Sequence, residues 1–370
     1  MRVLKKLPGG LIGMIALIVI VESWLSAHQY EYKAGSQFQW SRQGRAARRD
    51  STKYDILCYG DSLVNYGIQP NTIEAVTGNK TLNLGLIGGQ ASTTYFQLRR
   101  SVESGAKPKA VVVDFFALLL NHGKEENDER WPEFLSAREC LELAIASQDS
   151  RFFAKNMVSK LLFSYKERLG IRKFGISALK GTPYTERYSG LAHFRSWKLN
   201  HGSSIFARNP NLNLGDLNGF HKAAFMNADW MTRYHAIFMK RFFDLAAEHQ
   251  IKIYWVVPPL QPDVQAKFAE KGEDIRFDRL ISGVLAKYPN VTVVDARQST
   301  YPSEVFVDHG HLDRVGANTF SQDVGNVIKA SSDERWVKLP AFRMLPEQPP
   351  LEDFRESETV VLKDQGIIPR

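Results

Sequence analysis

The hydrophobic pattern changes period several times along the chain. From Leu7 to Leu25 it is apolar almost throughout, interrupted only by Pro8, three glycines, Glu22 and Ser23. That stretch of about 19 residues is just long enough to span a bilayer. Residues 28–53 are polar, rich in Gln, Ser, Gly and Arg, and read as a basic tether. Five short apolar runs follow: Ile56–Tyr59, Thr81–Leu84, Ala110–Asp114, Ile251–Val257 and Val291–Asp295. Each has the length of a buried strand. Helical periods separate them, at Pro70–Val76, Ala91–Gly105, Asp229–His249, Gln265–Tyr288 and Val315–Ile328. The clearest is Asp229–His249, where Trp230, Tyr234, Ile237, Phe238, Phe242 and Leu245 make one apolar stripe. Strands alternating with helices predict an α/β fold with a parallel, doubly wound sheet.

Residues 118–229 are long for a connection, and we read them as a helical insertion. Glu125–Arg130 is a charge run suited to a solvated loop, and Trp131–Ser150 and Phe152–Leu169 have helical periods. Gly181–Gly219 is rich in Gly, Asn, Ser, Tyr and His, with His193, Trp197 and His201 within it and Trp230 close by. It suits a lid or carbohydrate-facing loop, since aromatic rings stack on sugar faces; an irregular loop with a few buried aromatics fits equally. The resulting division is an anchor at 1–27, a linker at 28–53, a domain at 54–330 and a polar tail at 331–370, expected to be disordered or a surface arm.

Charge modifies this picture only at the ends. The net charge is +8, but residues 1–53 hold nine basic and three acidic residues. Residues 331–370 hold six basic and eight acidic, which leaves a nearly balanced body. The basicity lies beside the hydrophobic segment and speaks of membrane topology, not nucleic acid. Arg2, Lys5 and Lys6 precede the apolar stretch, and Leu25 and Ala27 fit a cleavage site poorly. An uncleaved anchor with the amino end inside is therefore favoured over a cleaved signal peptide. It places the domain outside the cytoplasm, although Arg42, Arg45, Arg48 and Arg49 lie on the far side. The two cysteines, Cys58 and Cys140, read as buried thiols and cannot form a Cys-rich metal site.

Candidate chemistry sits at the end of the first strand, where the apolar run stops in Gly60-Asp61-Ser62. A serine between a strand and a helix faces the crevice where open α/β sheets place ligands, with backbone N–H groups beside it. Three residues alone often only cap a helix. Far downstream, Asp308-His309-Gly310-His311 precedes the last helix. A nucleophilic serine needs a base, and the base needs an acceptor that fixes its tautomer. Ser62, His311 and Asp308 supply those roles. His309 is read as a solvated loop residue, and no metal or cofactor is called for.

These blocks, with Asn83-Leu84-Gly85-Leu86-Ile87-Gly88 between them and Gly316-Ala317 after the last, resemble the SGNH (GDSL-type) hydrolase superfamily. The resemblance covers roughly residues 54–330. It implies a flavodoxin-like three-layer α/β/α fold and acyl-ester chemistry. It assigns Ser62 as nucleophile and oxyanion donor, Gly88 as the second backbone donor, and Asp61 and Asn83 as supporting residues. The family's Gly-x-Asn after the third strand is missing, since Asp114 runs into Phe115-Phe116. Asn121 is the nearest replacement and is displaced.

Two expectations follow. The first is a membrane-tethered serine esterase or O-acyltransferase acting on acyl, chiefly acetyl, groups of an extracytoplasmic polysaccharide. The layout is similar to membrane-anchored bacterial relatives that modify glycans, which implies a multi-span acyl-donor protein as partner. The second is a catalytically weak scaffold or glycan-binding protein of an envelope complex, motivated by the missing Asn.

Overall fold

The computed structural model describes residues 9–28, 35–117, 119–182, 186–208, 231–347 and 351–367. The chain divides into two compact units, one from Met1–Phe38 with Asp128–Leu191, the other from Gln39–Asn127 with Ala192–Arg370.

The second unit contains one parallel sheet of six strands. In chain order they are β1 (Ile56–Tyr59), β2 (Thr81–Asn83), β3 (Ala110–Val113), β4 (Lys252–Val257), β5 (Val291–Asp295) and β6 (Trp336–Lys338). Their spatial order is β2-β1-β3-β4-β5-β6. Cys58 of β1 sits between Asn83 and Val112. The order reverses at β1, so the strand ending before Ser62 lies where the connections part to either side and leave a crevice.

Successive side chains of each strand face opposite ways, and both faces are covered. Ile56, Cys58, Val112, Val256 and Val294 pack with Ile73 of a helix at Pro70–Thr77 and with Phe320 and Val324 of a helix at Arg314–Ala330. On the other face Tyr59 and Trp255 meet Phe242 and Phe243 of a helix at Arg233–Glu248, with centroids 6.5 and 5.6 Å apart. Phe238 of that helix lies 5.1 Å from Phe96 of a helix at Ala91–Glu103. The strands carry apolar residues on both faces because both are buried. Cys58 and Cys140 are buried free thiols.

Three expectations change. The segment 28–53 is not a tether over its described length: a helix runs from Gly35 to Arg49. From Gln39 onward it packs into the sheet unit, with Trp40, Gln43, Ala46 and Ala47 buried. Arg42 is buried too; it donates to His193 O at 3.0 Å and lies over the Phe194 and Trp197 rings. The structured unit thus begins before Tyr54. The polar tail is likewise structured, since β6 extends the sheet and a helix forms at Phe354–Asp364, capped by Asp353. Between them Arg343 pairs with Asp323 at 2.7 Å. The single helical period expected at Gln265–Tyr288 is two helices, Pro262–Glu270 and Glu273–Lys287, because Gly272 turns with φ +67°.

The first unit is helical. The apolar N-terminal segment is a helix, Gly9–Ala27, long and apolar enough to cross a membrane. A core helix of that composition would be mostly buried, whereas here Leu25 alone of its described residues is. The insertion supplies helices at Trp131–Phe134, Ala137–Ala146, Ser150–Leu161, Phe163–Lys166 and Arg168–Lys180. Ser136 and Glu139 form a capping box at the second, and Asp149 caps the third by accepting from Phe152 N. Trp230 and much of the aromatic loop, residues 209–230, lie outside the described residues.

Trp40 is fully buried, and Gln43 Nε2 is within donor reach of three backbone carbonyls. Trp40→Ala should therefore destabilise the sheet unit by about 3–5 kcal/mol, and Gln43→Ala by about 1–3 kcal/mol. Denaturant unfolding of the full chain in detergent measures both. A loss well under about 1 kcal/mol for Trp40→Ala would mean this helix is not part of the core.

Candidate active site

Gly60, Asp61 and Ser62 leave the end of β1 in a turn that only glycine allows at its first position. Gly60 has φ +144°, and a Cβ there would overlap the Asp114 carboxylate. Asp61 donates its N–H to Asp114 Oδ1 at 3.0 Å and caps the next helix, Ser62–Gly67, by accepting from Leu63 N at 2.6 Å. Ser62 is the first residue of that helix.

A second loop brings His311 to Ser62. Phe306 and Leu312 form an antiparallel bridge, and Val307 N donates to His311 O at 2.9 Å, so residues 307–311 are a closed loop. Asp313 caps the helix at Arg314–Ala330 by accepting from Val315 N and Gly316 N, both at 2.9 Å. Gly316 lets Leu312 and Val305 approach its Cα closely, which a side chain would block. Within this loop His311 Nδ1 lies 2.6 Å from Asp308 Oδ2, and Nε2 lies 2.7 Å from Ser62 Oγ. With Nδ1–H donating to the carboxylate, Nε2 carries the lone pair and accepts the hydrogen bond of the Ser62 hydroxyl.

Asp308 is held as a carboxylate. Burial pushes it up, but the hydrogen bond and charge of His311, with N–H donation from Gly310 and His311, outweigh burial and bring it to about 2. Tyr66 and Phe206 stack at 4.0 Å, and their edges frame His311 at 5.5 and 6.0 Å. Burial pushes the Tyr66 hydroxyl up to about 12, with the Asp308 charge adding to it.

The glycine loop runs beside the Gly60–Ser62 turn. Leu86 N donates to Gly60 O at 3.0 Å, and a Cβ on Gly89 would strike Gly60 O. Gly88 adopts φ +69°, and its carbonyl accepts from Asn127 Nδ2 at 2.8 Å. The N–H groups of Ser62 and Gly88 donate to no backbone carbonyl among the described residues. Asn83 braces the loop from below: its Nδ2 donates to Val64 O and Ile68 O, both at 2.8 Å, and its Oδ1 accepts from Gly85 N at 2.9 Å.

Of the residues singled out in the sequence, Ser62, His311 and Asp308 come together, and Asp61, Asn83 and Gly88 surround them. Asn121 makes no side-chain hydrogen bond to Ser62, Gly88 or His311 among the described residues. His309 is partly exposed, and its carbonyl accepts from Gln261 N at 3.3 Å. The aromatics offered as sugar platforms are engaged elsewhere. Trp197 Nε1 donates to Gln43 Oε1, His193 stacks on Phe354 at 4.2 Å, and His201 pairs with Glu74 at 3.1 Å. Burial, helped by Arg42, pushes His193 down to about 4.

Sequence reasoning missed the Gln39–Trp40–Gln43 face of the Gly35–Arg49 helix, which grips the glycine loop. Trp40 Nε1 donates to Ile87 O at 3.0 Å, and Gln39 Oε1 accepts from Ile87 N at 3.2 Å. It also missed Asn127, Asp114, Tyr66 and Phe206. The helical spacing of residues 39, 40, 43, 46 and 47 was the available signal for the first.

Asp61 and Asp114 bury two carboxyl groups side by side. Burial pushes both up, and the Asp114 charge pushes Asp61 further, so the pair retains a proton above the ordinary carboxylate range. Raised acids withdraw stability as pH climbs: the native pair binds more protons than the unfolded chain from about pH 4 until its own titration, about 6 for Asp114. Asp114→Asn should therefore gain stability relative to the wild type as pH rises through that window. The gain should be about 1–3 kcal/mol, since each tenfold change in proton affinity is worth about 1.4 kcal/mol. Parallel denaturant titrations from pH 4 to 8 measure the difference; a gap independent of pH would refute the shared proton. A scan of protein-family models finds no match to this chain, and no curated protein sequence matches it.

Proposed function

We propose that this protein is a membrane-tethered serine ester hydrolase or O-acyltransferase of the SGNH type. In this reading the parallel sheet with both faces covered is the flavodoxin-like, three-layer fold of that superfamily. The observation that carries the proposal is the unbroken relay from Ser62 Oγ through His311 to Asp308, at 2.7 and 2.6 Å. Structural hydrogen bonds of histidine are common, but a serine at a strand end bonded to a carboxylate-oriented imidazole has the parts of a nucleophile and its base.

Ser62 Oγ attacks the acyl carbonyl carbon, and its proton passes to His311 Nε2. The tetrahedral oxyanion is stabilised by the N–H groups of Ser62 and Gly88, fixed dipoles in a turn that does not reorganise. Asp308 remains ionised and stabilises the imidazolium. Collapse breaks the ester C–O bond, and the leaving alkoxide takes the proton from Nε2. Acyl-Ser62 then loses its acyl group to water, which is hydrolysis, or to a sugar hydroxyl, which is transfer. His311 again takes the incoming proton and returns it to Ser62 Oγ.

We assign the substrate as an acyl-bearing or acceptor polysaccharide outside the cytoplasm, with acetyl as the acyl group and a multi-span acyl-donor protein as partner. The supports are the apolar helix Gly9–Ala27, the basic residues before it and the resemblance stated above. The insertion's aromatics lend less support than their composition suggested, since His193, Trp197 and His201 are engaged within the fold. A second reading, a scaffold or glycan-binding protein with little turnover, draws on one observation: Asp114 runs into Phe115-Phe116 where the resemblance expects a Gly-x-Asn donor. One lost oxyanion donor costs about 10²–10³ in rate, which leaves a slow enzyme.

Ser62→Ala and His311→Ala should each lower kcat/KM for a short acetyl ester by about 10⁴-fold or more while the protein stays folded. Asp308→Ala should retain more activity, because it orients and does not react. The wild type should label at Ser62 with a fluorophosphonate probe. A folded protein that never labels would favour the scaffold reading, and His309→Ala losing activity while His311→Ala kept it would refute the assigned base.

A substrate panel distinguishes the branches. Acetylated oligosaccharides should be turned over in preference to long-chain esters, and acetyl transfer to added sugar above hydrolysis would select the transferase. Preference for long-chain esters would overturn the glycan assignment.

A further inference from the structure

The helix Arg168–Lys180 in the insertion has two unlike faces. On one, Ile171 and Phe174 pack against Leu25 and Phe163. On the other, Leu169 is 53%, Ile176 41% and Leu179 90% exposed. No residue of this helix is fully buried. Leu169 and Ile176 are seven apart, two helical turns, and so lie on one line. Arg168, Arg172 and Leu179 fall to one side of that line, and Lys173 and Lys180 to the other. The helix contains no Asp or Glu. Among the described residues none of its four cations pairs with a carboxylate; Arg168 instead lies over the Tyr165 ring and donates to its carbonyl. An apolar line flanked on both sides by cations is poorly suited to water and well suited to the boundary between acyl chains and anionic headgroups.

Its place in the fold says what covers it. Leu25, on which its inner face packs, is in the last turn of the apolar helix Gly9–Ala27. Glu22, one turn earlier, accepts from Ser164 N at 3.0 Å and also bonds Ser164 Oγ, just before the Arg168 helix. From Gly9 to Leu25 the α-helical rise gives about 24 Å, against a hydrocarbon core of about 30 Å. The attachment is therefore at the far end of the apolar helix, within about one helical turn of where a bilayer's headgroups begin. Trp24 is exposed at the same level, a residue type that favours that layer.

We propose that the helix Arg168–Lys180 lies in the membrane interface. Leu169, Ile176 and Leu179 enter the acyl boundary, and Arg168, Arg172, Lys173 and Lys180 contact anionic lipid headgroups. The helical unit is then held to the bilayer by a crossing helix and by a second helix lying along the surface. The inference rests on Gly9–Ala27 crossing the bilayer and is independent of the ester chemistry at Ser62.

The test uses the full chain in lipid nanodiscs of phosphatidylcholine with phosphatidylglycerol, brominated at mid-chain. An environment-sensitive fluorophore is placed at Ile176→Cys, with Leu17→Cys reporting the crossing helix and exposed Glu334→Cys as the aqueous control. Cys58 and Cys140 are buried, so the wild type serves as the labelling blank. The expected result is bromine quenching at 17 and at 176, about twofold or more above that at 334. Replacing Arg168, Arg172, Lys173 and Lys180 together by Glu should abolish the quenching at 176 and leave that at 17. Quenching at 17 with none at 176 overturns the inference, as does a label at 176 shielded from water but not quenched, the signature of a protein partner. Quenching at 176 that survives the charge reversal overturns the headgroup contact. Absence of quenching at 17 removes the crossing helix and the inference with it.

Discussion

Backbone carbonyls crowd together where a parallel sheet ends, and the buried ones need donors. Here amide side chains supply them. Asn83 takes Val64 O and Ile68 O, Asn65 takes Gly85 O, Gln43 is shared among Asn83 O, Gly85 O and Gly202 O, and Asn127 takes Gly88 O. Each bond alone contributes about 1 kcal/mol net, but a buried carbonyl left without a donor costs more than that. The network therefore holds the strand end, the glycine loop and the first helix in one arrangement. Its members come from four separate stretches of chain, and Ser62 sits in the middle of them. An oxyanion site made of backbone N–H groups depends on such bracing, because a peptide has no rotamer of its own to lock.

The same place carries a cost. Two carboxyl groups, Asp61 and Asp114, lie buried beneath Ser62 with one proton too many for ordinary acids. Gly60 allows Asp114 to approach the chain, Asp114 takes the Asp61 N–H, and Asp61 caps the helix that presents Ser62. The turn is thus supported from behind by groups that would be more stable in water. Strain and desolvation gathered at a turn of this kind are common where geometry is kept for chemistry and not for stability.

How far the sequence could be read depended on which residues did the packing. The five strands were legible because burial on both faces makes most of their positions apolar, so that each reads as a short continuous run. The relay was legible because Gly60-Asp61-Ser62 and Asp308–His311 each end or begin an element at a predicted crevice. The helix Gly35–Arg49 was not, since its buried face is built from Trp40, Gln43, Ala46 and Ala47, with only one large apolar side chain among them. β6 was missed for a related reason: Trp336-Val337-Lys338 is three residues at a half-exposed edge, too short for any alternation. Asn127 and Asp114 act through backbone groups distant in sequence, which no local pattern reports.

The sheet unit is closed by pieces from opposite ends of its sequence. The helix at Gly35–Arg49 clasps the loop at Gly85–Gly88, while β6 pairs with β5, and Glu352 makes a two-point contact with Arg195. The first of these pieces leaves the ribosome long before its partners, and β6 and Glu352 leave it after every other strand. Pairings of such separation form slowly, since loop closure comes before the contacts that reward it. Folding of this unit is consequently a late event in the life of the nascent chain, not a progressive one. Until then the apolar strands are exposed to quality-control proteases and to one another.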